Sequence, residues 1–175
     1  VGIETQKFNQ KIKEKVKKKN NNLDIDLKTI KLTLDLINFK INAKTIGSTV
    51  FYSKRPLPLE YVKTQISLAT FFKDKIISSN FEIVTKSILL KDVMRFVRAT
   101  NNSAQLFILE KIIENGNVIL NINLNFDKNG KIKNDYEIKG SLQEGKVNFL
   151  NKNIIININF KFNFAIDKYS FKEIK

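Results

Sequence analysis

The stretch "NINFKFNF", residues 157–164, places Ile158, Phe160, Phe162 and Phe164 on one parity and Asn157, Asn159, Lys161 and Asn163 on the other. Successive side chains of a strand point to opposite faces, so the segment reads as a ribbon with one apolar and one wet side. The same design recurs upstream. Leu23, Ile25 and Leu27 alternate with polar residues, and Ile30, Leu32, Leu34 and Leu36 continue on the other parity. That switch predicts a bulge or short turn near Lys28 and Thr29. "VILNINLNF" (118–126) sets Leu120, Ile122, Leu124 and Phe126 against asparagines, and "DKNGK" after it supplies an Asn-Gly hairpin turn.

Two regions change period. Phe8, Ile12 and Val16 fall at i, i+4 and i+8, which predicts a helix over residues 4–19, ended by Asn20, Asn21 and Asn22. "ILLKDVMRFVRA" carries Leu90, Val93, Met94 and Val97 at helical spacing, and Leu106, Leu109 and Ile113 repeat it, with Ser103 as N-cap and Gly116 as stop. A helical hairpin over 88–115 follows. Between these regions the prolines of "RPLPLE" suggest an edge or loop, "YVKTQISL" and "NFEIVT" read as strands, and "FFKDK" as one helical turn.

The pattern is that of an α+β protein, a predominantly antiparallel curved β-sheet with an N-terminal amphipathic helix and a central helical pair. A single domain over 1–175 divides into a helical segment 1–20, a first β segment 23–86, the hairpin 88–115 and a β-meander 117–175.

With no Cys and no His, the chain lacks thiolate chemistry, the commonest general base and the commonest transition-metal ligand. Glu110 and Glu114 stand at i, i+4 and read as a solvated helix face, and neither a GxSxG elbow nor a glycine-rich phosphate loop occurs. An enzyme is not expected, and no cofactor or metal. The net charge of +14 suits a phosphate backbone or an anionic membrane, yet only three of the 31 basic residues are arginines. Wholesale use of Ile, Asn and Lys points to codon bias as one source of that charge. No window reaches the roughly 18 apolar residues of a spanning helix.

"GIETQKFNQKIKEKVKKKNNNLDIDLKTIKLTLDLINFKINAKT", "VKTQISLATFFKDK" and "NFEIVTKSILLKDVMRFV" resemble the N-terminal region of the AsmA-like superfamily of bacterial proteins, related to eukaryotic chorein-type bridge proteins. "VILNINLNFDKNGKIKNDYEIKGSLQEGKVNF" resembles the hairpins of that family's repeating β-groove. The resemblance covers most of the chain. It implies an inner-membrane anchor just before "VGIETQ", a periplasmic location and a role in phospholipid transport to the outer membrane and its biogenesis, without catalysis.

The expected partners are phospholipid acyl chains, an anionic membrane surface, and proteins of the inner or outer membrane. The expected lipid-contacting residues are Ile30, Leu32, Leu34, Leu36, Ile122, Leu124, Phe126, Ile158, Phe160, Phe162 and Phe164, with Lys11, Lys15 and Lys18 toward the membrane surface. Two alternatives stay open: an assembly scaffold with a sealed core, and a basic nucleic-acid-binding β module. Nucleic acid is not expected, because the aromatics alternate with Asn instead of flanking arginine clusters.

Overall fold

The computed structural model describes residues 2–68, 78–100, 103–127, 133–149, 153–165 and 168–174. Alternation wins along most of the chain, which builds an open, curved, mostly antiparallel sheet of 12 strands with three helices among the described residues. The strands are β1 (Gly2–Thr5), β2 (Leu23–Asp26), β3 (Thr29–Asp35), β4 (Lys40–Ile46), β5 (Thr49–Tyr52), β6 (Arg55–Ser67), β7 (Ser78–Thr85), β8 (Ile88–Leu89), β9 (Ile113–Asn125), β10 (Glu137–Phe149), β11 (Asn153–Ala165) and β12 (Lys168–Lys172). The helices are α1 (Asn9–Lys19), α2 (Leu90–Thr100) and α3 (Ala104–Ile112). The main path runs β1-β3-β4-β6-β7-β9-β10-β11-β12, with β2 on β5, β5 on β6, and β8 on β9.

Two expectations change. The first residues do not start a helix: Gly2–Thr5 pairs with β3, Ile3 opposite Leu32, and α1 begins only at Asn9. The helical hairpin ends early, because Ile113 already pairs with Val147 and Gly116 sits inside β9 at φ +136°. Glu114 is thus a strand residue, bound to Lys146 at 2.6 Å, and not a helical neighbour of Glu110. The edge expected of the prolines holds: Pro56 and Pro58 lie in β6 where β5 is its one ladder partner among the described residues. Pro56 and Pro58 share a parity, and Leu59 N–H on the other parity donates to Ser48 O, so neither ring removes a bond to β5.

Other signals hold. The break between β2 and β3 falls at residues 27–28, and the Asn9 side chain ties α1 to it through Leu27 O at 2.9 Å and Lys28 O at 2.6 Å. Asn20 ends α1, its N–H donating to Val16 O, and Ser103 Oγ caps α3 by accepting from Leu106 N–H. The meander is consecutive, β9 to β12. The "FFKDK" turn and the Asn129-Gly130 turn lie outside the described residues.

α2 and α3 cover one end of the sheet. Val93 joins Ile88, Val118 and Leu142 in a buried cluster, with Leu57, Leu90, Val97 and Phe160 packed on it. Leu59 and Val118 are the most deeply buried large side chains, each 1% exposed. A bulge at Glu60, where Leu59 faces Thr85 but Tyr61 faces Val84, moves the apolar parity of β6 from Leu57 and Leu59 to Val62.

The two helices are clamped together by Glu110, which accepts from Arg98 and lies 3.5 Å from Arg95 Nε. The Arg98 guanidinium holds the Glu110 carboxyl below the usual carboxylate range, with burial opposing it. A depressed folded-state pKa contributes stability that is present above the unfolded value, about 4.3, and is lost as pH falls through the lower folded value. Chemical denaturation at pH 7 and below pH 4 is therefore expected to show a loss of stability on acidification that is smaller in Glu110→Gln. An equal loss in both proteins would remove the clamp from the account.

Candidate functional site: two faces of one sheet

The register carries a single apolar parity across strands far apart in sequence. One row reads Leu32, Ala43, Thr64, Phe81 and Leu124 on β3, β4, β6, β7 and β9. The next reads Ile30, Thr45, Val62, Ile83, Ile122, Ile138 and Phe164. Leu120 faces Gly140, and Gly140 faces Phe162. Phe126 joins this face through its ring, 5.3 Å from that of Phe81. The residues predicted from β3, β9 and β11 therefore share one face.

They do not share one environment. Ile30 is 3% exposed, a core residue and not a contact for any ligand, because it lies inside the well-packed part of the sheet. Ile158, Phe160 and Phe162 pack against the cluster beneath the helices, so they too serve the core first. Leu32, Ile122, Leu124, Phe126 and Phe164 are half-buried. Leu34 is exposed, and Leu36 belongs to the turn after β3, 68% exposed. Phe160, Phe162, Phe164 and Phe171 form a ladder with ring centroids 4.9 to 5.9 Å apart.

The sequence reading missed the rest of this face: Ile41, Val62, Ile66, Phe81, Ile83, Ile138 and Phe171. Alternation in "YVKTQISL" and "NFEIVT" marked them as strand residues. Only the register shows that they continue the same rows.

The opposite face is amide- and lysine-rich. A row of Lys31, Lys44, Lys63, Glu82 and Asn123 crosses β3, β4, β6, β7 and β9, flanked by Thr33, Asn42, Gln65, Asn80 and Asn125. Tyr61 Oη donates to Glu82 at 2.7 Å and Lys63 Nζ donates to its other oxygen at 3.3 Å. The Tyr61 bond is the main reason that the Glu82 carboxyl titrates below its ordinary range. A cleft of about 470 Å³ opens on this face. A second, about 600 Å³, lies between Arg55, Pro56, Leu57 and the start of α2. Neither cleft is lined by the residues expected to contact lipid.

α1 packs against β2, with Ile12 and Val16 half-buried and Lys13 3.7 Å from Asp24. Lys11, Lys15 and Lys18 point outward, at i, i+4 and i+7, and form no ion pair among the described residues. No group of His, Cys, Asp and Glu able to hold a metal occurs among the described residues, and none of their helices is long and apolar enough to cross a membrane. Compared with protein-family models, with curated proteins and with solved structures, the chain matches none.

Proposed function

We propose that this chain is a non-catalytic lipid-binding module, in which acyl chains lie on the apolar sheet face at the end that the helices leave uncovered. The observation that carries the reading is the continuity of one apolar parity from β3 through β11. Seven strands spaced about 4.8 Å apart span roughly 29 Å, and one leaflet of a bilayer needs about half of a hydrocarbon thickness near 30 Å. Half-exposed Leu, Ile and Phe side chains with few hydrogen-bonding groups between them suit hydrocarbon better than a polar ligand.

Lys11, Lys15 and Lys18 then face an anionic membrane, each adding about 1 kcal/mol of attraction near the surface. With the family resemblance, the module belongs to a membrane-tethered periplasmic protein that moves phospholipid toward the outer membrane. Base stacking on this sheet is disfavoured by its own geometry. The phenylalanine ladder and the lysine row occupy opposite faces, and Tyr61 beside Lys44 and Lys63 is a single ring where stacking of successive bases needs several.

Native mass spectrometry of the purified chain, followed by organic extraction, tests the reading. Bound phospholipid is expected in the wild type and much less in Phe164→Asn and Leu124→Asn, which lie away from the buried cluster and should stay folded by circular dichroism. A folded wild type without lipid, before and after incubation with phospholipid vesicles, overturns the proposal and favours a scaffold whose sheet face is covered by protein.

A further inference from the structure

The lysine row poses an electrostatic problem that the acyl-chain reading leaves untouched. Lys31, Lys44 and Lys63 stand directly opposite one another on β3, β4 and β6. Cross-strand like charges repel and destabilise a sheet. Adjacent strands are about 4.8 Å apart, so three ammonium-bearing side chains share roughly 10 Å of surface.

Their compensation is incomplete. Glu82 pairs with Lys63 at 3.3 Å. Glu4 faces Lys31 in register, but neither Lys31 nor Lys44 forms an ion pair with a carboxylate among the described residues. Lys44 Nζ lies 4.7 Å and Lys63 Nζ 4.5 Å from the centroid of the same Tyr61 ring. The same ring therefore takes both cations, and the Glu82 bond to Tyr61 Oη fixes that ring. All three lysines line the cleft of about 470 Å³, with Thr33 and Asn42 beside them.

We infer that this cleft is an anion site for a phosphate-bearing ligand. Lys31 and Lys44, which form no ion pair among the described residues, suit a phosphate group, which near pH 7 carries about −1.5 to −2 as a monoester and a single charge as a diester, while Glu82 in the same lining is taken up by Lys63 and Tyr61. The hydroxyl and amide side chains beside them are suitable hydrogen-bond partners for its oxygens. The site lies on the face opposite the acyl-chain surface, goes beyond that function and does not depend on it.

Isothermal titration calorimetry with inorganic pyrophosphate tests the site in the wild type, Lys44→Gln, Lys31→Gln and the α1 control Lys11→Gln. The expected result is saturable binding by the wild type and the control, weakened about tenfold in each cleft variant. Without ligand, Lys44→Gln should melt no lower than the wild type, because it relieves repulsion. No saturable wild-type binding up to about 10 mM overturns the proposal. So does a Lys11→Gln loss equal to that of Lys44→Gln, which would mean general charge attraction. Vesicles of phosphatidylglycerol or phosphatidylcholine identify the source of the phosphate in a supported site. Competition between phosphatidylglycerol vesicles and pyrophosphate, lost in Lys44→Gln, assigns a lipid headgroup, and pyrophosphate binding without such competition assigns a soluble phosphate.

Discussion

Replacing Gly140 with valine is expected to destabilise the protein by about 2–3 kcal/mol, although valine is intrinsically the better strand residue. Gly140 lies directly opposite Phe162, whose ring covers the glycine. A Cβ built there would come within 2.5 Å of both ring ε carbons. The ring cannot swing aside freely, because Phe160 and Phe164 flank it at 5.9 and 4.9 Å and it packs on the buried cluster. The matching measurement is a double-mutant cycle by urea unfolding. Gly140→Val should cost far less in a Phe162→Ala background, where the space is already vacated. Equal costs in the two backgrounds would mean that the glycine serves backbone freedom instead of ring accommodation.

Leu59→Ala should cost about 2–5 kcal/mol, the range for truncating a fully buried leucine. Leu59 is 1% exposed, on the same side of β6 as Leu57 and in register with Thr85. Thr85 is itself buried and accepts from Leu120 N–H at 2.9 Å, so the cavity would open beside a fixed polar contact that cannot shift to fill it. By contrast Leu34→Ala, at a site 47% exposed, should cost well under about 1 kcal/mol. Thermal unfolding of the two variants side by side decides the matter. Similar midpoints would show that the tight packing does not govern stability at Leu59.

Side-chain parity was legible in the sequence because it is local. "NINFKFNF", "VILNINLNF" and "TIKLTL" each reveal their apolar face without knowledge of a neighbour. Gly2–Thr5 escaped notice because four residues are too few to show a period, and their role comes from pairing with β3. The helical spacing of Leu106, Leu109 and Ile113 misled for a related reason. At Ile113 the ladder to Val147 outcompetes one more helical turn, and that ladder is set 34 residues downstream. Likewise, Lys31, Lys44 and Lys63 are unremarkable lysines along the chain and become one cluster only through register. Which floor residues join the core, as Ile158, Phe160 and Phe162 do, depended on where α2 landed, and no local pattern encodes that.

The meander's last long strand is protected unevenly. β12 covers β11 only over Lys161–Ala165, so among the described residues Asn153–Phe160 has an outer edge that no strand pairs with, beside exposed Ile154, Ile155 and Ile156. Such an edge is a template for a second chain. Asn157 interrupts it with a left-handed backbone at φ +58°, and Glu144 on β10 bends the partner strand at φ +53°. The kink denies an incoming strand a straight run of partners, and so the same irregularity that carries Ile155 and Ile158 onto the apolar side also guards the molecule against amyloid-like stacking.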